Sequence, residues 1–447
     1  MVKAGATQAA VQGTRIKRSH TWVSHTATVP EYLKLDNTRT GRGWGPRVLL
    51  GVLGLVLVLV VLVVVQLLRG TPPIKASVVI PNAVTIPGTP PALPWPKYAT
   101  AAVAIEGVGT LGGVRTDVAR SLASVAKLFT ALVVLKQHPL KLGQSGPTIT
   151  ITPADATKYQ IDVRDHDSVV KVTAGEHLTE LQALEGMLIP SADNLARMLA
   201  NWSDTSHSAF VQAMNSEAAA LGLTHTHLAG PSGLNPASVS TAADLVKLAE
   251  AVMANPVLRQ IVAMPQVTLP AAGTVYNVND MLGRDGIIGI KTGSTPAAGG
   301  NFVFAASHHV QGRNVTVVGA ILGATGVQAL QNALDLGATL AGAAVKAVRE
   351  VSPVSPGEAV VRLHAPWGQT VVGRTGGAPP ILAVPGEQVS AKVVLEPAVT
   401  DGKLHQIKAG QRLGTLDLQV RGHTTSLPIT ASGSISAPSL SYKLGRF

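Results

Sequence analysis

The stretch RSLASVAKLFTALVVLK, residues 120–136, places a serine and a lysine three positions apart at the start of an apolar run. Residues i and i+3 share one face of a helix, so the side chains of Ser124 and Lys127 can form a hydrogen bond. Apolar side chains then recur at helical spacing, which predicts a helix buried in the core: Leu128, Leu132 and Leu135.

Two interpretations of this pair stay open at this point. A lysine drawn into a protein interior loses hydration of its charged form, so its pKa falls and it can accept a proton from a neighbouring serine. The pair is then a nucleophile and its base. Alternatively, Ser124 caps the helix and Lys127 extends its charge to solvent. A second Ser-x-x-Lys, residues 168–171, lies in a predicted strand, where positions three apart face opposite sides.

The segment LEGMLIPSADNLARMLA, residues 184–200, interrupts two apolar helical runs with Ser191, Asp193 and Asn194. Pro190 suits a turn at this break. By itself, Ser-x-Asp-Asn is a common helix start, because each of these residue types caps a helix well. The segment therefore predicts a turn followed by a helix.

A third polar motif ends a predicted strand in DGIIGIKTGSTPAAGGNFVFAAS, residues 285–307. Gly293 leaves room for a ligand beside the strand backbone. Lys291 offers a positive charge and Thr292 a hydroxyl, a combination that suits a carboxylate. A similar GRTGG, residues 373–377, stands in a turn-like context near the C-terminus.

The three motifs occur in one order, with Ser191 67 residues after Ser124 and Lys291 another 100 residues on. In this order they resemble the serine penicillin-recognising enzymes, among them the low-molecular-mass D-alanyl-D-alanine carboxypeptidases. Connecting segments share the resemblance, which extends over about residues 98–350: LGLTHTHLAGPSGLNPASVSTAADLVKLA, YNVNDML and KTGSTPAAGGNFVFAA. It implies an α/β (α+β) catalytic domain of the serine β-lactamase/transpeptidase type.

The resemblance also implies acyl transfer on peptidoglycan stem peptides that end in D-Ala-D-Ala. Ser124 would attack the penultimate carbonyl and Lys127 would take its proton. Ser191 would help to relay that proton to the departing D-alanine. β-Lactam antibiotics would acylate Ser124 and inhibit the enzyme.

Substrate contacts follow from the same resemblance. Backbone N–H groups of Ser124 and Ser294 would stabilise the oxyanion. Lys291 and Thr292 would hold the terminal carboxylate, with Gly293 beside them. Asp193 and Asn194 complete the expected substrate-binding positions.

The second motif departs from the family pattern, which usually has Ser-x-Asn where this chain has Asp193. Its carboxylate can accept a hydrogen bond from Lys127 but has no N–H group to donate to substrate. A carboxylate here also favours the protonated form of Lys127. Either Asn194 substitutes through a local shift, or the activity differs from the family norm.

Periodicity predicts a mixed α/β pattern in the main body, followed by short alternating runs typical of a small all-β domain. Helices are predicted over residues 124–136, 178–187, 194–202, 208–221, 242–253 and 330–348. Strands are predicted over residues 99–107, 286–293, 301–309 and 315–323, and in the C-terminal runs EAVVRLHA, QTVVGR, QVSAKVVLE, LGTLDLQV and TTSLPITA.

The predicted organisation has five parts: a basic tail (1–47), a transmembrane helix (48–68), a proline-rich stalk (69–97), the catalytic domain (98–352) and the β domain (357–447). Segment 48–68 has 21 residues without a charge, enough to cross the roughly 30 Å hydrocarbon layer. The tail holds eight basic and two acidic residues, which predicts that it is disordered and cytoplasmic. The remainder would lie outside a bacterial cell membrane that the chain crosses once.

Composition narrows the function class. The chain has no cysteine, which excludes disulfides and thiolate catalysis. Its net charge of +11 is concentrated in the tail, and no nucleic-acid-binding motif accompanies it. We expect no metal site, because His225 and His227 lack a third ligand in the pattern, and no cofactor.

The sequence therefore predicts a membrane-anchored serine D-Ala-D-Ala carboxypeptidase acting on cell-wall peptides. Three alternatives remain: a D,D-endopeptidase that uses the same residues, a β-lactamase-like hydrolase, and a catalytically weak penicillin-binding scaffold. No Glu-x-x-Leu-Asn deacylation loop follows Ser191, which disfavours the β-lactamase.

Overall fold

The structure, a computed structural model, describes residues 45–446 with the exception of residue 205. Most of the predicted basic tail, residues 1–44, lies outside the described residues. Helix α1 spans Gly45–Leu68 and has 24 residues, a length of about 36 Å at 1.5 Å per residue. It is long and apolar enough to cross a membrane, and its most apolar stretch is not buried in the protein. This is consistent with the predicted N-terminal membrane anchor.

The predicted proline-rich stalk is wrong. Strands β1 (Lys75–Val78) and β2 (Ala83–Thr85) fall inside it and belong to the C-terminal β sheet. Isoleucines from this segment fill the core of that domain: Ile74, Ile80 and Ile86. Both strands are sheet edges, and prolines are tolerated beside edge strands because one side of such a strand needs no ladder hydrogen bonds.

The elements of the catalytic domain follow the predicted α/β pattern. Its strands are β3 (Thr100–Ile105), β4 (Gly109–Val114), β5 (Arg120–Ser121), β6 (Thr148–Thr150), β7 (His177–Thr179), β8 (Val239–Ser240), β9 (Gln266–Leu269), β10 (Gly273–Tyr276), β11 (Ile287–Thr295), β12 (Gly299–Val310) and β13 (Arg313–Ala324). Its helices are a 3₁₀ turn (Ala123–Ala126), α2 (Lys127–Gln137), α3 (Pro153–Arg164), α4 (Glu180–Leu188), α5 (Asp193–Ser203), α6 (His207–Ala220), α7 (Ala242–Ala254), α8 (Pro256–Val262) and α9 (Ala329–Ala347).

The central sheet is antiparallel, with strand order β11-β12-β13-β3-β4. Both faces are buried, and alternate residues of β3 enter two different cores. Ala102 and Ala104 pack with the helices that include α2 and α7, whereas Ala101, Val103 and Ile105 pack on the side of α9. A strand covered on both faces needs apolar residues at successive positions, which explains the uninterrupted apolar run AAVAI after Thr100.

Helix α2 lies within the larger core. Leu128, Phe129, Ala131, Val133 and Val134 are all buried, so apolar groups surround the helix rather than covering one stripe. Helix α9 covers the opposite face of the sheet, where a Cβ atom on Gly337 would lie 2.6 Å from Phe302. The sheet is thus held between two helical layers, and β11 forms its edge.

The C-terminal domain is an antiparallel sheet of order β1-β15-β16-β20-β19-β18-β2. Its later elements are β14 (Arg349–Val351), β15 (Ala359–His364), β16 (Thr370–Thr375), β17 (Ile381–Ala383), β18 (Gln388–Leu395), α10 (Pro397–Thr400), β19 (Arg412–Val420), β20 (His423–Ala431) and α11 (Leu440–Leu444). The five predicted C-terminal runs correspond to β15, β16, β18, β19 and β20. Residues 70–445 form one unit.

Candidate active site

Ser124 lies on the 3₁₀ turn that leads into α2. The preceding residue, Ala123, has a positive φ of 46°, which is uncommon for a residue with a side chain. Gly233 packs against this turn so closely that a Cβ atom there would lie 1.8 Å from the carbonyl oxygen of Ala123. In a 3₁₀ turn residues i and i+3 are eclipsed, so the turn aligns Ser124 with Lys127.

Lys127 is completely enclosed, and all three of its ammonium N–H groups have acceptors. Its Nζ atom donates to Oγ of Ser124 at 2.8 Å, to Oδ1 of Asp193 at 2.6 Å and to the carbonyl of Ser232 at 3.1 Å. The alternative in which the lysine extends to solvent is therefore wrong. The hydrogen bond between Ser124 and Lys127 that the helical spacing allows is present.

The pKa of Lys127 is lowered by burial, which disfavours its charged form. The carboxylate of Asp193 opposes this effect, through its charge and its hydrogen bond. The negative charge of Asp167 opposes it to a smaller extent. Burial therefore favours loss of the proton from Lys127, whereas the neighbouring Asp193 carboxylate favours its retention.

The second motif does not cap α5. Ala192 occupies the N-cap position without a side-chain hydrogen bond, and Asp193 instead bonds Lys127. Ser191 is buried, with a positive φ of 69° at the break that Pro190 introduces. The backbone N–H of Asp193 donates to the carbonyl of Ser168. That contact involves the second Ser-x-x-Lys, which forms irregular backbone rather than the predicted strand.

Asn194 does not join the group around Lys127. Its Nδ2 atom donates to the carbonyl of Val170 at 2.9 Å, and its Oδ1 atom accepts from the N–H of Val170 at 3.2 Å. Both polar atoms of the Asn194 side chain therefore bond the backbone of Val170. This corrects the expectation that Asn194 supplies an amide to substrate.

Lys291 is buried rather than presented as an exposed cation. Its Nζ atom donates to the carbonyl of Thr292 at 3.1 Å. Burial lowers the pKa of Lys291 well below its usual value, and the positive charge of Lys127 lowers it further. Thr292 is buried as well. The third motif thus adds a second enclosed amine beside the first.

Gly293 brings strand β11 against the turn that holds the nucleophile. A Cβ atom at this position would lie 2.9 Å from the carbonyl oxygen of Leu122 and 3.1 Å from the backbone nitrogen of Ser124. The space beside Gly293, which we expected to be available to a ligand, is therefore filled by the turn that carries Ser124. Ser294, the next residue, is exposed.

Two contributors to the site were not identified from the sequence. The carbonyl of Ser232 completes the bonds of Lys127, and its segment GPSGLN was recognised only as a connecting segment. Asn301 is buried and donates through Nδ2 to the carbonyls of Ser121 and Leu122, at 2.9 and 3.0 Å. The sequence signal that could have identified Asn301 was its position as a polar residue at the start of the apolar run NFVFAAS.

No cluster of three or more metal-ligating side chains of the His, Cys, Asp and Glu types occurs within residues 45–446, leaving aside residue 205. The chemical groups that the site does bring together are a serine hydroxyl, two enclosed amines, one carboxylate and a second serine. Such a set can transfer an acyl group to the hydroxyl and move its proton.

Comparison with known proteins agrees with this geometry. The family model for peptidase S11, D-alanyl-D-alanine carboxypeptidase, matches residues 99–325. The chain belongs to this peptidase family. The prediction of a serine D-Ala-D-Ala carboxypeptidase of the penicillin-recognising type is thereby confirmed, together with its α+β fold.

Individual relatives support the same family. The chain is 36% identical over 204 residues to D-alanyl-D-alanine carboxypeptidase DacB2 of Mycobacterium tuberculosis, covering 44% of this chain and 66% of the relative. It is 33% identical over 233 residues to a D-alanyl-D-alanine carboxypeptidase of a Streptomyces species, covering 48% of this chain and 77% of the relative. Other relatives, including one from Escherichia coli, are named D-alanyl-D-alanine endopeptidases.

The fold extends beyond the catalytic domain. The crystal structure of D-alanyl-D-alanine carboxypeptidase DacD from Francisella tularensis has a TM-score of 0.52 and 21% identity to this chain. The similarity covers 78% of this chain and 96% of that structure. At this identity the likeness concerns the fold alone.

Proposed function

We propose that this protein removes the terminal D-alanine from peptidoglycan stem peptides through an acyl-enzyme on Ser124. The observation that supports this assignment is the 2.8 Å hydrogen bond between Oγ of Ser124 and Nζ of Lys127, whose amine is fully enclosed. An enclosed amine with a lowered pKa can act as the base for a neighbouring hydroxyl. The family of the chain supplies the substrate class.

The reaction starts from the form in which Lys127 has lost a proton. Oγ of Ser124 then attacks the penultimate carbonyl and transfers its proton to Nζ of Lys127. The C–N bond breaks, the acyl group stays on Ser124, and the departing D-alanine takes a proton relayed through Ser191. Water subsequently hydrolyses the ester, which regenerates the hydroxyl and releases the shortened peptide.

The oxyanion that forms during attack needs donors beside Ser124. The backbone N–H groups of Ser124 and Ser294 are proposed for this role. The close packing of Gly293 on the backbone nitrogen of Ser124 supports it, because Ser294 follows directly. Lys291 interacts electrostatically with both Lys127 and Asp193, and Thr292 and Gly293 connect it to Ser294 along strand β11.

Helix α1 is proposed as the anchor that holds this enzyme at a bacterial cell membrane. Its length and apolar composition support a single crossing. The basic residues that precede it favour a cytoplasmic N-terminus under the positive-inside rule. The catalytic and β domains are then extracytoplasmic, where the peptidoglycan substrate and β-lactams are found.

A second candidate function follows from the ion pair between Lys127 and Asp193. A carboxylate in contact with the amine favours the protonated lysine, which cannot act as a base. Strong retention of this proton would slow acylation by both substrates, and it would slow the unreactive peptide more than the strained β-lactam ring, so the protein would still be labelled by penicillin yet turn over peptide poorly. Such a protein would serve as a penicillin-binding scaffold in wall assembly.

The deciding experiment follows free D-alanine released from a stem peptide ending in D-Ala-D-Ala, using wild type, Ser124→Ala and Ser168→Ala. Ser168 belongs to the second Ser-x-x-Lys and is the matched control. Release that disappears only in Ser124→Ala supports the carboxypeptidase. No release, combined with penicillin labelling of Ser124, supports the scaffold. Cleavage of crosslinked dimers in preference to monomers supports the endopeptidase.

A further inference from the structure

A buried asparagine, Asn301, lies on strand β12 directly opposite Gly293 of strand β11. None of its surface reaches solvent. The register between β12 and β13 shifts at this point, so that Asn301 stands opposite two residues of β13, Leu322 and Gly323. A bulge of this kind leaves its extra residue without a ladder partner, and bulges beside active sites serve to aim a side chain.

The side chain of Asn301 joins this bulge to the turn of the nucleophile. Its Oδ1 atom accepts from the N–H of Gly323 at 2.9 Å. Its Nδ2 atom donates to the carbonyls of Ser121 and Leu122, at 2.9 and 3.0 Å. Because the two carbonyls require a donor and the N–H requires an acceptor, only one orientation of the amide satisfies all three groups.

The segment that Asn301 holds leads directly to the nucleophile. Ser121 is the last residue of β5, which has only two residues and pairs with the equally short β8. Leu122 follows, and Ser124 is two residues further along the chain. Since strands of this length provide few ladder bonds, the position of the serine turn depends on the amide of Asn301 as well as on this pairing.

Asn301 also connects the two groups proposed as oxyanion donors. The N–H of Ser124 belongs to the turn that the amide holds, whereas Ser294 pairs with Gly300, the residue before Asn301. One donor is thus held through the carboxamide of Asn301 and the other through its strand. Both must lie about 2.7–3.1 Å from one oxygen atom, so the separation between the turn and β11 has to be exact.

We infer that Asn301 is a positioning residue for acyl transfer, which sets the backbone N–H of Ser124 against that of Ser294. This role rests on the proposed function, and it belongs to a residue outside the three motifs. Asn301 acts through the carbonyls of Ser121 and Leu122 rather than on the substrate. An aspartate has the same shape but no N–H to donate, so it cannot replace the amide.

The test uses the full chain in detergent micelles and the variant Asn301→Asp, which keeps the size of the side chain and removes both of its donors. The kcat for release of D-alanine from a stem peptide ending in D-Ala-D-Ala should fall by about 10- to 100-fold, because the oxyanion donors are misplaced. KM should stay within about twofold, since the oxyanion forms only after the peptide has bound.

A boronic acid analogue of the peptide gives a readout that a purely structural role would not move. Its boron atom forms a bond to Oγ of Ser124 as the hydroxyl loses its proton, and one oxygen of the tetrahedral adduct occupies the oxyanion site. The affinity of Asn301→Asp for this compound should fall by about the same factor as kcat/KM. An unchanged affinity alongside a reduced kcat would overturn the inference.

Asn215→Asp is the matched control. Nδ2 of Asn215 also donates to two carbonyls, those of Val211 and Leu228, at 2.9 and 2.8 Å, and its Oδ1 atom accepts from the N–H of Leu228 at 3.0 Å. None of these groups belongs to the serine turn or to the central sheet, so kcat should stay within about twofold of wild type. Urea unfolding measures the stability of both variants. If Asn301→Asp is unfolded where Asn215→Asp is folded, or if both lose kcat equally, Asn301 supports only the fold and the inference fails.

Acylation by benzylpenicillin separates this inference from the proposed function. If wild type is acylated but releases no D-alanine, the carboxypeptidase assignment fails, and a decrease of about 10- to 100-fold in the acylation rate of Asn301→Asp still supports the positioning role. An acylation rate and a kcat equal to those of wild type overturn the positioning role alone. Absence of acylation of Ser124 in wild type overturns both proposals.

Discussion

Nζ of Lys127 and Oδ1 of Asp193 lie 2.6 Å apart, and almost no part of either side chain reaches solvent. Burial lowers the pKa of Lys127, and this carboxylate is the leading influence in the opposite direction. The residue that departs from the family pattern thus controls whether the base holds its proton.

Asp193→Asn should move the acid limb of the kcat/KM profile to lower pH. The base acts only when deprotonated, so activity rises as the pH passes the pKa of Lys127. Removing the carboxylate removes the main influence that raises this pKa, so the lysine loses its proton at lower pH. On the acid side, activity should increase roughly tenfold for each pH unit by which the limb moves.

The matched control for this change is Asp167→Asn. The charge of Asp167 also raises the pKa of Lys127, but by less than the charge or the hydrogen bond of Asp193. Its replacement should shift the limb in the same direction by less. An acid limb that stays in place or moves to higher pH in Asp193→Asn would show that Lys127 is not the titrating base.

Gly293→Ala should abolish most acylation by displacing the serine turn. The new Cβ atom would lie 2.9 Å from the carbonyl oxygen of Leu122 and 3.1 Å from the nitrogen of Ser124. We expect the acylation rate to fall by at least about 100-fold, the size of effect that a displacement of about 1 Å can have on a reacting group. Fluorescent penicillin labelling measures this rate.

The look-alike GRTGG supplies the control for that substitution. Among the described residues other than its chain neighbours, none has an atom within 4 Å of a Cβ atom built on Gly376, so Gly376→Ala should label like wild type. Full labelling of Gly293→Ala would mean that strand β11 can shift away from the turn without loss of the oxyanion site.

Glu180 should make the catalytic domain less stable as the pH rises. It is fully buried, and within the part of the chain that the structure describes its carboxylate oxygens have no hydrogen-bond partner. Burial raises the pKa of Glu180 to about 7 from 4.5. The raised pKa contributes stability below pH 4.5, and this contribution is lost as the pH passes through 7. By pH 8 the loss should be on the order of 2 to 3 kcal/mol.

Urea unfolding of the chain from residue 70 measures this loss. Glu180→Gln should flatten the decline in the free energy of unfolding between pH 4.5 and 8. Glu396→Gln, at a carboxylate whose side chain is 42% exposed, should leave the decline as in wild type. A wild-type protein whose stability is constant over this range would contradict the prediction.

Ile86→Ala should destabilise the β domain, although position 86 lies in what the sequence presents as a stalk. Ile86 is 1% exposed, and its backbone bonds Glu387 and Gly386. Loss of its buried side chain should lower the free energy of unfolding by about 2 to 5 kcal/mol. Val79→Ala, at a position that is 42% exposed, is the control. Equal stability of both variants would restore the stalk interpretation.

The sequence predicted the elements whose apolar pattern is strong. The runs that became α2, α7, β12 and β13 are long, apolar and correctly periodic, so their type followed from hydrophobicity alone. Helix α3 was not predicted, because PADATKYQIDVR buries little and lacks an apolar stripe. The edge strands β1 and β2 were not predicted, because they have four and three residues and their partners lie far along the chain.

Within the site, residue types were predictable and side-chain directions were not. The spacing of Ser124 and Lys127 determines their contact because both belong to one turn. Asn194 bonds to the backbone carbonyl of Val170, which only the tertiary structure brings near. The orientation of a polar side chain beside a cleft depends on such acceptors, and sequence pattern does not reveal them.

The placement of β1 and β2 has a consequence for the order in which the protein is made. Lys75 pairs with His364, so β1 is synthesised roughly 290 residues before its partner strand. The catalytic domain lies between them and contains both of its own cores, so it can form while the β sheet still waits for its later strands. Closure of the β sheet therefore waits for its later strands, and it joins the segment that follows helix α1 to strands that are made after the catalytic domain.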